Sequence, residues 1–262
     1  TEQYDISDVQ RALNGFAYKP LISLLVPVYN VDRKWLEKCV ESIKGQYYPH
    51  WQLCLADDCS TQSQVRPLLS RFADEDSRIK IVFREKNGHI SRATNSALEL
   101  ADGEFVGLLD NDDELAPPAL FEVGGELNDC TGTDMVYSDE DKEDEEGNRF
   151  DPHFKPDYSP DLLLSTNYIS HFGVYRKSIV EDIGGFRPGY EGSQDYDLVL
   201  RFTERTTPSR IQHVAKVLYH WRTLAASTAS SSGAKNYASD AGLRALRSAM
   251  ERRDISADVR SG

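Results

Sequence analysis

The sequence predicts an α/β fold in which a mostly parallel sheet carries helices on both faces. Strand-like apolar runs alternate with segments whose apolar residues recur at helical spacing. The runs are apolar at nearly every position, which is typical of parallel strands buried on both faces. A chain of 262 residues with 39% hydrophobic content is long enough to bury one sizeable core.

Four strand and helix units account for the first part of the chain. "LISLLVPVYN" predicts the first strand, and the helix after it begins behind Asp32 as a capping residue. "WQLCLADD" and "RIKIVFR" predict the next two strands, each followed by an amphipathic helix, and a fourth strand covers residues 104–109. The alternation predicts right-handed crossovers between parallel strands.

Beyond Pro118 the pattern becomes less regular and predicts an α+β second half. "EEGN" is expected to be a hairpin turn, and the acidic run 139–146 is expected to be a solvated loop. "HFGVYR" and "VLYHWR" predict strands, "QDYDLVLRFTE" predicts a helix, and a closing helix covers 237–253. The expected divisions are an extension over 1–20, a ligand-binding half over 21–116, a second half over 117–234, and a C-terminal helix and tail over 235–262. The chain starts at Thr1 rather than Met, which favours a segment of a longer protein.

Charge and composition exclude several classes of protein. A net charge of -13 argues against nucleic acid or an anionic membrane surface as a general partner, because both attract basic faces. The sequence contains no apolar run of about 18 residues and no leader-like start, so no transmembrane segment is predicted in this chain. The four cysteines form no C-x-x-C pair, which favours structural thiols in a reducing compartment. We therefore expect a cytoplasmic protein, with peripheral attachment to the inner face of the membrane left open.

Polar side chains follow all four strands of the predicted parallel sheet. They are Tyr29 and Asn30, then Asp57, Asp58 and Ser60, then Arg84 and Asn87, then Asp110, Asn111 and Asp112. The carboxyl ends of parallel strands meet at one edge, where open α/β sheets bind ligands. The sequence therefore predicts a cleft at this edge. The alternative is that these residues only form turns and helix caps.

Two carboxylates in "DNDDEL", those of Asp110 and Asp112, form half of a possible cation site. Mg²⁺ and Mn²⁺ favour carboxylate and phosphate oxygens and often take only one or two protein carboxylates. The alternative is a capped turn before Pro117, where acids suit a helix N-terminus. Asp113 and Glu114 are assigned to the turn and the helix start. The chain lacks G-x-G-x-x-G, G-x-x-x-x-G-K-[ST], H-E-x-x-H and G-x-S-x-G, so the usual dehydrogenase, P-loop, zincin and serine-hydrolase signatures are absent.

Five motifs in order and spacing, over residues 21–229, resemble the family 2 glycosyltransferases of GT-A fold. They are "SLLVPVYN", "LADDCST", "NGHISRATNSAL", "LLDNDDEL" and "SQDYDLVLR". "YSDEDK", "FKPDYSPDLL" and "VLYHWR...ST" are similar to the branch that makes bacterial O-antigen and other surface polysaccharides. The resemblance implies a Rossmann-like sheet, with a nucleotide-sugar-binding half over 21–116 and an acceptor-binding, catalytic half over 117–234. It implies inverting transfer from a nucleotide sugar, with a UDP-sugar favoured, to a glycan or lipid-linked glycan.

The resemblance also implies a set of nucleotide-binding residues. They are Pro27, Tyr29, Asn30, Asp58, Asn87, Gly88, Arg92, Asp110 and Asn111. Asp58 would accept a hydrogen bond from the base. Gly88 would let the backbone approach the ligand, or would simply open a helix. Arg92 stands two positions earlier than the arginine of the family pattern, so its contact with diphosphate or base is left open.

For the chemistry, the resemblance implies one base and one Mn²⁺ or Mg²⁺ ion. Asp112 would bind the metal directly with His220 as a further ligand, although a lone histidine on a strand is often only packed. Asp195 would take the proton of the acceptor hydroxyl, whereas its alternative role is a helix cap. Asp139, Gln194 and Trp221 are expected on the acceptor side.

Three other functions are weighed against this one. A non-catalytic nucleotide-sugar or glycan-binding module of a larger polymerase would bind ligands without transfer. A sugar nucleotidyltransferase would be expected to carry a glycine-rich loop after the first strand, where "PVYNVDRKW" has no glycine. A glycosidase also uses two carboxylates but needs no nucleotide pocket.

Overall fold

The computed structural model describes residues 4–224 and 232–260. Its strands are β1 (Ile22–Val28), β2 (Trp51–Asp57), β3 (Ile79–Phe83), β4 (Phe105–Leu108), β5 (Glu114–Leu115), β6 (Met135–Glu143), β7 (Arg149–His153), β8 (Gly173–Arg176) and β9 (Ile211–Arg222). Its helices are α1 (Ile6–Gly15), α2 (Arg33–Lys44), α3 (Val65–Glu75), α4 (His89–Glu99), α5 (Ala119–Asp129), α6 (Pro160–Leu163), α7 (Lys177–Asp182), α8 (Gln194–Thr203) and α9 (Ser232–Arg252), with a 3₁₀ turn at Pro208–Arg210. Within these residues, no helix is both long and apolar enough to cross a membrane.

The first half of the molecule is a parallel sheet covered on both faces. β1 lies between β2 and β4, and β3 pairs with the outer side of β2, all in parallel. Every residue of β1 and β2 is buried. Alternate residues of β1 enter two separate cores, with Leu24 and Val26 on one face and Leu25 on the other. The predicted α/β fold is confirmed.

The second half continues the same sheet with mixed pairing. β8 pairs antiparallel with both β4 and β6, β9 runs parallel to β6, and the short β5 pairs antiparallel with β9. The strand order is β3-β2-β1-β4-β8-β6-β9-β5, and β7 forms a hairpin with β6. Gly147 takes a φ of 89° in the turn of this hairpin, which confirms the turn predicted at "EEGN". The sheet passes without a break across the division expected at residue 116.

The acidic run is the main point where the sequence-based expectation is wrong. Asp139, Glu140, Asp141 and Glu143 lie on β6 and are buried, whereas a solvated loop was expected. Positively charged partners offset the desolvation cost of burying these carboxylates. Lys155 contacts Glu140, and Arg149 contacts Asp141. These partners come from later in the chain, so the charge pattern of the run alone could not indicate them.

The two ends of the chain also differ from expectation. The extension over 1–20 contains α1, which begins behind Asp5 as a capping residue that accepts from the Ser7 N–H at 2.7 Å. The closing helix, expected over 237–253, begins at Ser232. Ser227 and Thr228, the "ST" of the last quoted signature, lie outside the described residues.

Candidate active site

A pocket of about 340 Å³ opens at the carboxyl ends of the parallel strands, and we call it the strand-end pocket. It is lined by Pro27, Val28, Tyr29, Asp58, Asn87, His89, Ile90, Ala93 and Asn111. These residues follow or end β1 to β4 or begin α4, because parallel strands place all of these turns at one edge. The structure thus brings together five of the predicted nucleotide-binding residues. His89 and Ile90 were missed, although they directly follow the predicted Gly88.

The carboxylate of Asp58 is held inside the protein wall of this pocket. Arg84 Nε donates to Asp58 Oδ1 at 2.8 Å, and the backbone N–H of Gly88 donates to the same oxygen at 2.9 Å. The Asn87 side chain donates to the backbone oxygen of Asp58 at 3.2 Å. These bonds fix the loop between β3 and α4 against the end of β2. The charged partner Arg84 was noted in sequence only as a polar residue after a strand.

Four predicted binding residues lie outside the lining of the strand-end pocket, namely Asn30, Gly88, Arg92 and Asp110. Asn30, with a φ of 49°, accepts hydrogen bonds from the backbone N–H groups of Thr61 and Gln62 at 2.8 and 3.1 Å. Arg92 is exposed on α4. A Cβ at Gly88 would lie 2.7 Å from a guanidinium nitrogen of Arg84 and 2.8 Å from Arg92 Cδ. A side chain at this position would therefore require the side chains of Arg84 and Arg92 to shift.

An acidic corner lies beside the strand-end pocket, just beyond β4. One ligand atom each from Asp110, Asp113 and His171 lie within 4.8 Å of one another, which makes them a group able to hold a metal ion. Asp110 Oδ2 and His171 Nε2 are 4.0 Å apart. The Asn111 side chain donates to the backbone oxygen of Pro27 at 2.7 Å. This hydrogen bond links the acidic corner to β1.

Asp113 differs from its sequence-based assignment to a turn. Asp113 is not a turn residue at the surface, because it is 1% exposed and accepts from the Tyr219 hydroxyl and from the backbone N–H of Arg222. Burial raises the pKa of Asp113 well above its ordinary value. Burial and the charge of Asp110 raise the pKa of Asp112 to about 6. Burial and the neighbouring acids therefore oppose ionisation of both Asp112 and Asp113.

His171 is a site residue that the sequence did not indicate. Its Nδ1 lies 3.2 Å from Glu140 Oε2, and its ring stacks on that of Tyr219 with centroids 4.6 Å apart. Burial would lower the pKa of His171, but the hydrogen bond and charge of Glu140 outweigh burial and raise the pKa to about 9. The contact with Glu140 therefore favours the protonated form of the His171 ring. The only sequence signal was its place as the first residue of the predicted strand "HFGVYR".

The structure does not bring His220 to the acidic corner. Tyr219 and Trp221 both contact the His171 ring, with centroids at 4.6 and 5.7 Å. Because side chains alternate along a strand, His220 between them points to the other face of β9. There its Nδ1 lies 2.6 Å from Asp141 Oδ1, and it lines a separate cavity of about 910 Å³. These contacts give the expectation of His220 as a metal ligand no geometric support.

Asp195 lies on the other side of the acidic corner, in the first turn of α8. It lines a small cavity of about 50 Å³ together with Asp110, His171 and Gln194. The side-chain amide of Asn167 donates to Asp195 Oδ2 at 2.6 Å. Burial raises the pKa of Asp195, although the charge of His171 opposes this effect. The N-cap residue of α8 is Ser193, so Asp195 is not needed as the cap.

The expected acceptor-side residues divide between the site and the interior. Gln194 lines the small cavity, and its side-chain oxygen accepts from the Gly192 N–H at 2.8 Å. Trp221 lies beside His171 and lines a further cavity of about 320 Å³ formed with the β6–β7 hairpin. Asp139 is 2% exposed and contacts His213 Nε2 at 2.9 Å and the Lys155 N–H at 2.9 Å. Asp139 is therefore buried and paired with other residues of the protein.

The glycosyl transferase family 2 model matches residues 23–184, more than half of the chain and the whole of the strand-end pocket. The chain belongs to glycosyl transferase family 2. It is 49% identical over 244 residues to the uncharacterized protein y4gI of Sinorhizobium fredii, covering 93% of this chain and 26% of that protein. It is 38% identical to the O-antigen biosynthesis protein RfbC of Myxococcus xanthus, covering 98% of this chain and 20% of that protein.

A third relative of this family 2 chain is the chondroitin synthase of Escherichia coli, 30% identical, with 77% of this chain and 29% of that protein covered. The chain thus spans less than a third of the length of these relatives. Among solved structures, S. aureus TarS 1-349 in complex with UDP has a TM-score of 0.69 at 20% identity, covering 90% of this chain and 67% of that one. The mannosyltransferase PcManGT of Pyrobaculum calidifontis, in complex with GDP-Man and Mn²⁺, has a TM-score of 0.63 at 15% identity, covering 97% and 72%. These likenesses confirm the predicted GT-A fold.

Proposed function

We propose that this chain is the catalytic domain of an inverting, divalent-metal-dependent glycosyltransferase acting in bacterial surface-polysaccharide synthesis. It moves a sugar from a nucleotide sugar, with a UDP-sugar favoured, to a glycan or lipid-linked glycan at the cytoplasmic side. One observation carries the proposal. Pro27 and Ile90 line both the strand-end pocket and the small cavity of Asp195, so the two cavities are neighbours beside the acidic corner.

The strand-end pocket is proposed to hold the nucleoside. A mixed lining of apolar side chains with a few fixed polar groups is typical of such ligand sites. Tyr29 is 48% exposed at the pocket, so its ring is available to pack against a base. UDP is favoured because one likeness of this fold is to TarS in complex with UDP and another to TarS in complex with UDP-GlcNAc.

The acidic corner is proposed to hold Mn²⁺ or Mg²⁺ through Asp110, Asp112 and His171. Carboxylate oxygens are the donors that such ions favour, and a neutral imidazole nitrogen is a common metal ligand. The raised pKa of Asp112 fits this proposal, since a cation would relieve the repulsion between Asp110 and Asp112. Asp113 fits less well as a ligand, because both of its oxygens accept hydrogen bonds from the protein. When bound, the ion would neutralise charge on the donor diphosphate.

Asp195 is proposed as the base that accepts the proton of the acceptor hydroxyl. That hydroxyl attacks the anomeric carbon opposite the leaving diphosphate, and the configuration inverts. A carboxyl group with a raised pKa suits this role, since a base works best when its pKa lies closer to the working pH. His171, next to Asp110, would help to hold the ion that favours negative charge on the leaving group. Trp221 is proposed to contact the acceptor.

The experiment is a donor screen followed by a matched pair of substitutions. The protein is incubated with a panel of nucleotide sugars, glycan acceptors and Mn²⁺ or Mg²⁺, and release of nucleoside diphosphate is followed. Asp195→Asn should abolish turnover while leaving UDP binding unchanged, and the exposed Asp74→Asn on α3 is the control. Binding of donors without turnover in the unmodified protein would instead support a non-catalytic module. Unchanged turnover in Asp195→Asn would exclude Asp195 as the base.

A further inference from the structure

We infer that Asn167 is a positioning residue that orients the carboxylate of Asp195 for catalysis, an inference that rests on the proposed function. The Asn167 Nδ2 atom lies 2.6 Å from Asp195 Oδ2. One oxygen of the carboxylate is therefore tied to an amide on a different segment of the chain, 28 residues away. This bond restrains rotation of the carboxylate in the small cavity that it shares with Asp110 and His171.

The segment that carries Asn167 is itself anchored, so the amide has a defined position. Tyr168 and Ile169 are 3% and 0% exposed. The Tyr168 hydroxyl accepts from the Ser159 N–H at 2.8 Å, and the buried Lys155 ammonium donates to the Ile169 oxygen at 2.7 Å. A donor held in this way does not have to be ordered again when substrate binds, which is the condition for preorganisation.

The same short segment connects Asp195 to His171 at the acidic corner. The Ser170 N–H donates to Asn167 Oδ1 at 3.4 Å, and the Ser170 hydroxyl lies 3.2 Å from His171 Nδ1. His171 in turn faces Asp110. Residues 167–171 therefore contact both Asp195, the proposed base, and Asp110 at the proposed metal site.

An amide suits this position better than a cation. A lysine or arginine in place of Asn167 would stabilise the Asp195 carboxylate strongly and lower its basicity. A neutral donor does so only modestly. Burial raises the pKa of Asp195, the charge of His171 and the Asn167 hydrogen bond lower it, and Asp110 raises it. Asn167 thus holds the base in place while burial keeps its pKa raised.

The test is Asn167→Ala, using UDP release for turnover and UDP with Mn²⁺ for binding. We expect kcat to fall about tenfold to a hundredfold, a part of the 10² to 10⁴ that a general base contributes. The dissociation constant for UDP and the KM for the donor should change less than about twofold, since Asn167 is absent from the strand-end pocket lining. Loss of the hydrogen bond raises the pKa of Asp195, so the acidic limb of the kcat profile moves to higher pH.

Asn167→Asp serves as the second variant because it keeps the shape of the side chain and replaces the amide donor with a carboxylate. It should shift the acidic limb further than Asn167→Ala, since the added charge also opposes ionisation of Asp195. The matched control is Asn148→Ala. Asn148 Nδ2 donates to Asp144 Oδ2 at 2.9 Å in the exposed β6–β7 turn. This control therefore removes the same kind of amide–carboxylate hydrogen bond at a position outside the cavities of the site. Its kcat and pH profile should equal those of the unmodified protein.

Three results would overturn the inference. In the first, both Asn167 variants keep the kcat and pH profile of the unmodified protein while Asp195→Asn is inactive, and then the proposed function stands alone. In the second, turnover and UDP binding fall together, which indicates a structural role for Asn167. In the third, the unmodified protein turns over no donor, so the proposed function fails and the inference fails with it.

Discussion

The Glu140 carboxylate lies between His171 and Lys155, with its Oε2 atom 3.2 Å from His171 Nδ1 and 3.2 Å from Lys155 Nζ. A single carboxylate on β6 therefore contacts both the imidazole of His171 and the ammonium of Lys155 at the edge of the acidic corner. The Lys155 side chain is 0% exposed, so water cannot replace this contact. The arrangement makes Glu140, a member of the acidic run, part of the support of the candidate active site.

Glu140→Ala is expected to destabilise the fold strongly. It leaves the buried Lys155 ammonium without its carboxylate, and breaking a buried ion pair in this way typically costs about 3–5 kcal/mol. The free energy of unfolding is measured by urea denaturation. Glu104→Ala is the control, because Glu104 pairs with Arg176 but is 46% exposed, and such pairs contribute at most about 1 kcal/mol. Equal effects of the two substitutions would contradict the role assigned to Glu140.

His171→Ala and His220→Ala separate the two histidines that are candidates for metal binding. His171→Ala should weaken Mn²⁺-dependent UDP binding at least about tenfold, a loss of about 1.4 kcal/mol. His220→Ala should leave binding unchanged, because its ring faces Asp141 on the other side of β9. Isothermal titration of UDP with and without Mn²⁺ measures both. The reverse order of effects would restore His220 as the ligand.

Asn95→Ala should loosen the contact between α4 and the loop that precedes α8. The Asn95 amide donates to the Phe186 oxygen and its carbonyl accepts from the Phe186 N–H, both at 2.8 Å. Removing the side chain leaves two backbone groups without partners, at a cost of about 1–3 kcal/mol. Thermal unfolding checks this, with Glu99→Ala on the exposed side of α4 as the control. A melting temperature unchanged in both variants would contradict it.

Gly103→Ala and Gly125→Ala are expected to act in opposite directions. A Cβ at Gly103 would lie 2.6 Å from the backbone oxygen of Leu21 and 2.8 Å from the Ser23 N, which cannot move without disturbing β1. Such overpacking costs about 1–3 kcal/mol. A Cβ at Gly125, inside α5, meets only Phe16 at 3.7 Å, so alanine should stabilise the helix by about 0.5–1 kcal/mol. Denaturant unfolding of both variants tests the sign of each effect.

Much of the fold and of the strand-end pocket was predictable from sequence because the signals are local. The apolar runs of β1 to β4 and the helical spacing between them predict a parallel sheet, and the sheet predicts that the strand ends meet. Pro27, Asp58 and Asn111 therefore share a pocket as expected. Asp195 was assigned from a family motif, and its role as base stays a prediction.

Only the tertiary structure decided which side chains face the acidic corner. The choice between His171 and His220 depends on the register of β9, where a one-residue step reverses the face of the sheet. The burial of Asp113, Glu140 and Asp141 depends on partners that come from distant strands and loops, such as Tyr219, Lys155 and Arg149. Local patterns determine where strands begin and end, whereas the direction and charge state of a side chain are set by whatever the completed sheet brings beside it.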